Sequence, residues 1–363
     1  MKSFNEVFED KTKYGTKIKT SEYCEMGAHL IIDQGQEQVA GYTDIEEGVF
    51  EEVPVIIFGD HTRVIKYVDK PFFLGADGVK VLRSKFKNAN YKYLYYALKN
   101  ARIPNTGYNR HFKWLKEVQI EYPDYRRQEN VVKILDKVSD LIETRQHEIK
   151  RLDDLIKARF VELFGNPVLN EKGWESNLLA QLTLKIGSGA TPKGGREAYQ
   201  EEGIALIRSM NVYNGKFEYK DLAHISDEQA AKLDNVIIKE SDVLLNITGA
   251  SVARSCVVPN QILPARVNQH VCIIRCKECI EPIFLNRLLI DDNYQKLLWE
   301  IAGSGATREA ITKQQVERLK IILPPIELQN QFADFVRQVD KSKLMFQKLH
   351  QQLNILQQKA GDI

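Results

Sequence analysis

Cysteine is scarce in this sequence: there are five in 363 residues, an odd number with no regular spacing. A chain of this length can build its own core, so the expectation is reduced thiols rather than a disulfide framework. Cys276 and Cys279 have ligand-like spacing, with His270 and Cys272 nearby. No second cysteine pair completes a zinc set, so no metal is expected. Long apolar runs are also missing. None reaches the roughly 18 residues that a membrane span needs. The opening Met1-Lys2-Ser3-Phe4-Asn5-Glu6 turns acidic at once and shows no apolar signal core. The expectation is a cytoplasmic chain with no membrane partner. A dominant charge sign is lacking as well. Lys and Arg number 51 against 49 Asp and Glu, for a formal net charge of +2, with a pI of about 8.1. Nothing in that balance demands a polyanionic partner, so any nucleic-acid role must rest on local basic patches.

Signatures of catalysis are absent too. No Gly-x-x-x-x-Gly-Lys-Ser/Thr loop occurs; the stretch Gly187 to Gly195 is glycine-rich but lacks the Lys-Ser/Thr pair. No Asn/Asp-Pro-Pro-Tyr/Phe motif of the adenine methyltransferases is present, since Pro324-Pro325 is followed by Ile326. Pro123-Asp124 precedes a helix and lacks a matching acidic-x-Lys strand, and no Ser-His-Asp or Cys-His set emerges. The chain reads as non-catalytic, with no catalytic residues to name.

What is present is a repeat. After Pro123, apolar residues fall at Val131, Leu135, Val138, Ile142, Ile149, Leu152, Ile156, Phe160 and Leu163. Steps of three, four and seven trace one stripe of a long helix, which Gly165-Asn166-Pro167 stops. After Pro324-Pro325 a second stripe runs through Phe332, Val336, Val339, Phe346, Leu349, Leu353 and Leu356, ending near Gly361. The two prolines are 324 − 123 = 201 positions apart, and at that offset Gln128 meets Gln329 and Leu135 meets Val336. Leu115–Ile120 and Val316–Leu323 each read as a short strand leading into the helix. A striped helix cannot bury its stripe alone, so the two helices are expected to pair. A coiled-coil dimerisation arm is the competing reading, against which the duplication supplies a matching helix in the same chain.

The remaining blocks, 1–122 and 167–323, read as mixed α/β. Strands are expected at 53–60 and 80–82, and at 204–208, 242–247 and 270–275. Helices are expected at Tyr91–Lys99 and Pro282–Leu298. The fold class is therefore α/β: two mixed α/β domains separated by a pair of long antiparallel helices, 123–166 and 324–363, in a tandem duplication.

At this point the sequence resembles the specificity subunits of type I restriction-modification systems, over essentially its whole length. In the second half the resemblance is carried by Gly187-Ser188-Gly189-Ala190-Thr191-Pro192 and Leu206-Ile207-Arg208-Ser209-Met210-Asn211-Val212. It continues in Asp242-Val243-Leu244-Leu245-Asn246-Ile247-Thr248-Gly249, Val267-Asn268-Gln269-His270-Val271 and Leu323-Pro324-Pro325-Ile326-Glu327-Leu328-Gln329. In the first half Gln34-Gly35-Gln36, Ala40-Gly41-Tyr42-Thr43, Ile57-Phe58-Gly59-Asp60-His61-Thr62 and Asn109-Arg110-His111-Phe112 are similar. That half lacks a clear Gly-x-Thr-Pro turn, which leaves its N-terminal edge undefined. The resemblance implies two target recognition domains, each reading half of a split double-stranded DNA target. It implies that the helices set the gap and dock two methyltransferase subunits, with restriction subunits completing the complex. S-adenosylmethionine, ATP and magnesium would belong to those partners, and none to this chain.

Side chains that can read base edges or hold phosphates are Arg, Lys, Asn, Gln, Ser and Thr. The candidate DNA contacts are His61, Thr62, Arg63, Asn109, Arg110, His111 and Lys113 in the first half. In the second half they are Thr191, Lys193, Arg196, Arg208, Ser209, Asn211, Thr248, Asn268, Gln269, Thr307 and Arg308. The candidate partner-binding positions are the helical stripes, Val131, Leu135, Val138, Ile142, Ile149, Leu152 and Ile156 with Phe332, Val336, Val339, Phe346, Leu349 and Leu353. A detached recognition half of a fused restriction-methylation enzyme, and a helical scaffold that binds only proteins, remain the alternatives. Salt-sensitive DNA binding separates the scaffold from the others.

Overall fold

The computed structural model describes residues 1–75, 77–107, 109–192, 194–303 and 309–361, with side chains up to 355 apart from those of Arg196 and Ala198. Among the described residues no helix is long and apolar enough to cross a membrane. The chain divides into two units. One is Met1–His147 together with the end of the last helix from Gln347; the other is Glu148–Phe346.

The first unit contains β1 (Lys2–Ser3), α1 (Phe4–Val7), β2 (Phe8–Asp10), β3 (His29–Ile32), β4 (Gly41–Thr43), β5 (Val55–Gly59), β6 (Ile65–Val68), β7 (Phe72–Leu74) and β8 (Val79–Ser84). There follow α2 (Tyr91–Lys99), α3 (Phe112–Leu115), β9 (Gln119–Ile120) and the long helix α4 (Tyr125–Phe164). The second unit takes in the end of α4 and repeats the scheme with β10 (Ser176–Leu178), α5 (Leu179–Leu182), β11 (Thr183–Ser188) and β12 (Ile204–Ile207). A hairpin without counterpart in the first unit, β13 (Val212–Tyr213) and β14 (Lys216–Phe217), precedes β15 (Ala223–Ile225) and α6 (Asp227–Ala231). Then come β16 (Val243–Asn246), β17 (Ser255–Val257), β18 (Ala265–Val267) and β19 (Val271–Cys276). The unit closes with α7 (Pro282–Leu289), α8 (Asp292–Gly303), α9 (Lys313–Glu317), β20 (Lys320–Ile322) and the start of α10 (Ile326–Gly361).

Each unit pairs a four-stranded sheet with a three-stranded one. The orders are β2-β8-β5-β6 with β4-β3-β7, and β11-β19-β16-β17 with β15-β12-β18. Strand directions match as well: β3 is parallel to β7 and antiparallel to β4, as β12 is to β18 and β15. The central strands explain the continuous apolar runs of the sequence. Successive side chains alternate between faces, and both faces are covered. Val243 and Leu245 join the core that includes the helices, while Leu244 joins the core of the smaller sheet. In β5, Ile56 and Phe58 face α2, whereas Val55 and Ile57 face β3 and β7.

The duplication holds in register. Lys2 pairs with Ile120 and Ser3 with Gln119; Asn177 pairs with Ile321 and Leu178 with Lys320. The Phe4 N–H donates to the Val118 carbonyl at 3.1 Å, as that of Leu179 donates to Leu319 at 2.8 Å. The next helical turns are capped alike, Ser3 N–H on Glu6 and Leu178 N–H on Gln181. The N-terminal edge that the sequence left undefined is thus built as in the second half. Gly15 packs against Leu74 at the end of β7, where Gly189 packs against Val267 at the end of β18.

Three expectations are corrected. Leu115–Ile120 and Val316–Leu323 are not strands throughout: α3 and α9 take up their first residues, and pairing begins at Gln119 and Lys320. The helix at Pro282–Leu298 is two helices. The Asp291 carboxylate accepts the N–H groups of Asn293 (2.9 Å) and Tyr294 (3.3 Å), so it caps a new helix start.

At 1.5 Å per residue, the 40 residues of α4 and the 36 of α10 give lengths of about 60 and 54 Å. Within the second unit the two run antiparallel. Phe160 and Phe164 meet Phe332 at 5.6 and 5.4 Å between ring centroids, while farther along Lys343 binds Asp153 at 2.5 Å. The stripes are not a free partner surface. Leu135 lies in the first unit's core with Val131 against it. Ile156, Phe332, Val336 and Val339 lie in the second unit's core with Leu152 against it. Val138, Ile142, Ile149, Phe346 and Leu353 are half-buried and Leu349 is exposed. Helix-borne apolar groups that do reach the surface include Ile134, Leu141 and Leu155 on α4 and Leu344 and Met345 on α10.

Candidate nucleic-acid interface

Because β3 and β7 are parallel and adjacent, the turns that follow them lie at one end of the first unit. Gln34, two residues after β3, gathers these turns. Its amide donates to the Asp77 carbonyl at 2.9 Å and accepts the His61 N–H at 3.2 Å, and its own carbonyl accepts the Thr62 hydroxyl at 2.7 Å. The β5–β6 turn is strained at Arg63, whose φ is 61°, and whose guanidinium donates to the Ile103 carbonyl at 3.3 Å. Asp60 joins the same turn to the loop before α3. Its carboxylate accepts the Phe112 N–H at 2.7 Å and its carbonyl accepts the His111 N–H at 2.8 Å. Asn109, Arg110 and Lys113 are exposed on that loop and the first turn of α3.

His111 does not belong with them as a contact. It is fully buried, with Nδ1 3.0 Å from the Asp60 carbonyl and Nε2 3.3 Å from the Thr106 hydroxyl. It positions the loop, and a ring pinned at both nitrogens cannot also reach a base edge. Thr62 is exposed but commits its hydroxyl to Gln34.

The second unit builds the same end differently. The Thr191 hydroxyl donates to the Gln269 amide oxygen. The Gln269 amide nitrogen lies 3.1 Å from His270 Nε2, and His270 Nδ1 lies 2.6 Å from the Thr248 hydroxyl. Three distant stretches of sequence are thereby brought to one place. Asn246 reaches from β16 to the Ser209 carbonyl at 2.8 Å. Gly189 is forced by packing: a Cβ there would stand 1.7 Å from the Val267 oxygen, whereas one on Gly187 meets nothing within 4 Å. Ser209, Met210, Tyr213, Thr248, Gly249, Ala250, Ser251, Arg254 and His270 line a shallow depression at this end.

Here too, some expected contacts are structural. Asn211 is fully buried; its amide donates to the carbonyls of Glu218 (2.9 Å) and Lys220 (3.3 Å) and its oxygen accepts the Arg208 N–H. Asn268 is buried as well, accepting the His270 N–H at 3.0 Å. Arg208 donates to the Asp221 carbonyl and stacks over Tyr199 at 5.2 Å, so it braces its loop. Lys193, Thr307 and Arg308 lie outside the described residues, as does the side chain of Arg196. Sequence reasoning missed Gln34, Asp60, Asn246 and His270 as organisers. Each sits in a quoted motif, but nothing in its residue type says that its partner is a group inside the protein, a backbone group for Gln34, Asp60 and Asn246 and the Thr248 hydroxyl for His270. Around the cysteines, among the described residues, no group of three potential ligands is assembled.

Two copies of one mixed sandwich, each with polar turns gathered at one end and each joined to a long helix, define a duplicated recognition protein. A family model described as the type I restriction modification DNA specificity domain matches residues 1–153 and 171–355, and the chain belongs to that family. It is 21% identical over 350 residues to the EcoR124I/EcoR124II type I restriction enzyme specificity subunit of Escherichia coli, covering 92% of this chain and 84% of that one. It is 22% identical over 316 residues to the MjaVIII specificity subunit of Methanocaldococcus jannaschii, covering 81% and 74%. Its fold matches the S subunit of a type I restriction-modification system from M. genitalium, with TM-score 0.62 at 16% identity over 99% of this chain and 94% of that one.

Proposed function

We propose that each unit reads one half of a bipartite double-stranded DNA target, and that α4 and α10 set the gap and dock two methyltransferase subunits. Restriction subunits join through that complex. Methylation and cleavage, with S-adenosylmethionine, ATP and magnesium, belong to the partner chains. The observation that carries the reading is the in-register duplication. Two copies of the same scaffold present different side chains on equivalent turns, Gln34 and Thr62 after β3 and β5 in one and Ser209 and Thr248 after β12 and β16 in the other. That arrangement suits two different half-sites read by one chain. Exposed Ile134, Leu141 and Leu155, spaced by 7 and 14 residues on α4, offer apolar surface for a partner helix. The near-neutral net charge fits modest affinity for DNA alone, with partners supplying much of the counterion release.

The test is a genome-wide map of base methylation in the host with and without this gene. Loss of one split motif, two short blocks around a constant gap, is the expected result. An unchanged map, in a host that expresses the chain with its methyltransferase, overturns the reading and favours a protein scaffold.

A further inference from the structure

We propose that Arg254, held on the ring of Tyr213, is a preorganised DNA contact of the second unit. The inference rests on the reading of that unit as a DNA reader. Arg254 sits in the turn between β16 and β17, and its guanidinium lies 4.5 Å from the Tyr213 ring centroid. Arg208, on the turn after β12 at this same end, is spent inside the protein, where it donates to the Asp221 carbonyl. Among the described residues, Arg254 has neither an acidic partner nor a side-chain hydrogen bond. A guanidinium carries five N–H donors in a rigid fork. Stacking on an aromatic face holds it by its plane and leaves its edge to donate.

The turn beneath it is fixed. The Asn246 N–H donates to the Arg254 carbonyl at 2.8 Å, the Ala253 N–H to the Asn246 carbonyl at 2.9 Å, and the Arg254 N–H to the Ser251 carbonyl at 3.3 Å. Ala253 is held at a φ of 69°, a conformation that a non-glycine residue keeps only when its surroundings impose it. The depression that Arg254 lines also holds Ser209, Ser251, Thr248 and His270, with no carboxylate among the described residues that line it. An edge of paired donors over a floor with no carboxylate suits a ligand that presents two acceptors side by side. In duplex DNA these are the O6 and N7 of guanine, or two oxygens of one phosphate. Tyr213 belongs to the β13–β14 hairpin, which the first unit lacks, so the device is particular to the second half-target.

The experiment uses the complex assembled with its methyltransferase. Wild type, Arg254→Ala, Arg254→Lys, Tyr213→Phe and Tyr213→Ala are compared by methylation-motif mapping and by binding to the mapped duplex over a range of salt. If the fork reads guanine, Arg254→Ala and Arg254→Lys both make one G·C position of the second block degenerate, with about tenfold or more discrimination lost there and the first block unchanged. If it holds a phosphate, the motif stays the same in every variant. Arg254→Ala then weakens binding uniformly and lowers the salt slope by about one, and Arg254→Lys largely restores it. In either case Tyr213→Phe keeps wild-type behaviour and Tyr213→Ala shifts toward Arg254→Ala. Wild-type motif, affinity and salt slope in Arg254→Ala overturn the proposal. If wild type itself neither methylates a split motif nor binds duplex, the underlying reading fails first, and the inference falls with it.

Discussion

The Gln329 side chain donates to the carbonyl of Pro324 at 2.7 Å, closing the start of α10 on itself. Gln128 makes the same bond to Pro123 at 2.8 Å at the start of α4. Gln329 does more. It is fully buried, donates a second time to the Cys279 carbonyl at 3.3 Å, and accepts the Glu281 N–H at 3.0 Å. One side chain therefore ties the helix start to the residues that lead into α7. Gln329→Ala leaves two buried backbone groups, the Pro324 carbonyl and the Glu281 N–H, without this partner and is expected to cost about 2–4 kcal/mol. Gln128→Ala is expected to cost about 1 kcal/mol. Denaturant unfolding of both variants checks the order, and equal losses would show that the link to α7 contributes nothing.

Two glycines of one motif are expected to respond in opposite ways. A Cβ on Gly189 would stand 1.7 Å from the Val267 oxygen, a backbone atom that cannot step aside, while a Cβ on Gly187 has open space. Gly189→Ala should therefore displace the turn that carries Thr191 and blur or abolish methylation at the second half-site. Gly187→Ala should stay within about 0.5 kcal/mol of wild type with its motif intact. Motif mapping and thermal melts of the two variants decide it; a Gly189→Ala chain with wild-type melting and motif contradicts the packing argument.

The architecture was largely legible because period and repetition are properties of sequence. The stripes through Val131–Leu163 and Phe332–Leu356 gave both helices, and the alignment of Gln128 with Gln329 gave the duplication. Whether a polar residue touches a ligand or a carbonyl inside the fold was not legible. His111, Asn211 and Asn268 have the chemistry of readers but are buried, each bonded to backbone: His111 to Asp60, Asn211 to Glu218, and Asn268 to His270 two residues on. Apolar stripes carry the same ambiguity. Ile156 and Val336 look like partner surface in sequence, but they are enclosed by the second unit's own core. Two-residue strands such as β1 escape notice because pairing, not propensity, creates them; Lys2 and Ser3 are extended where Gln119 and Ile120 bond to them.

The five cysteines are expected to divide by reactivity. Burial pushes the thiols of Cys256, Cys272 and Cys276 up to about 12, whereas Cys24 and Cys279 are exposed. At pH 8 a thiol with such a value is only about 10⁻⁴ thiolate, and thiolate is the form that alkylates. Native alkylation at pH 8, read by mass spectrometry, should modify Cys24 and Cys279 alone, and denaturation should expose all five. Rapid native labelling of Cys272 would mean that the sheet around β19 opens far more readily than its burial implies.

The role of the helices as a ruler can be tested by changing their length without turning their faces. Seven residues are close to two helical turns, falling short by about 20°, so an inserted heptad keeps the side chains beyond it nearly in phase. Inserted after His147 in α4 and after Phe346 in α10, at the boundary between the two units, it interrupts neither core. It adds about 10 Å to each helix, which at about 3.4 Å per base pair of duplex corresponds to about three base pairs. If the helices set the gap, the methylated motif should keep both blocks and gain about three unspecified positions between them. Insertion in only one helix would set the two lengths against each other, and should weaken methylation without defining a new gap. A chain with both insertions that still methylates the original motif would show that something other than α4 and α10 fixes the spacing.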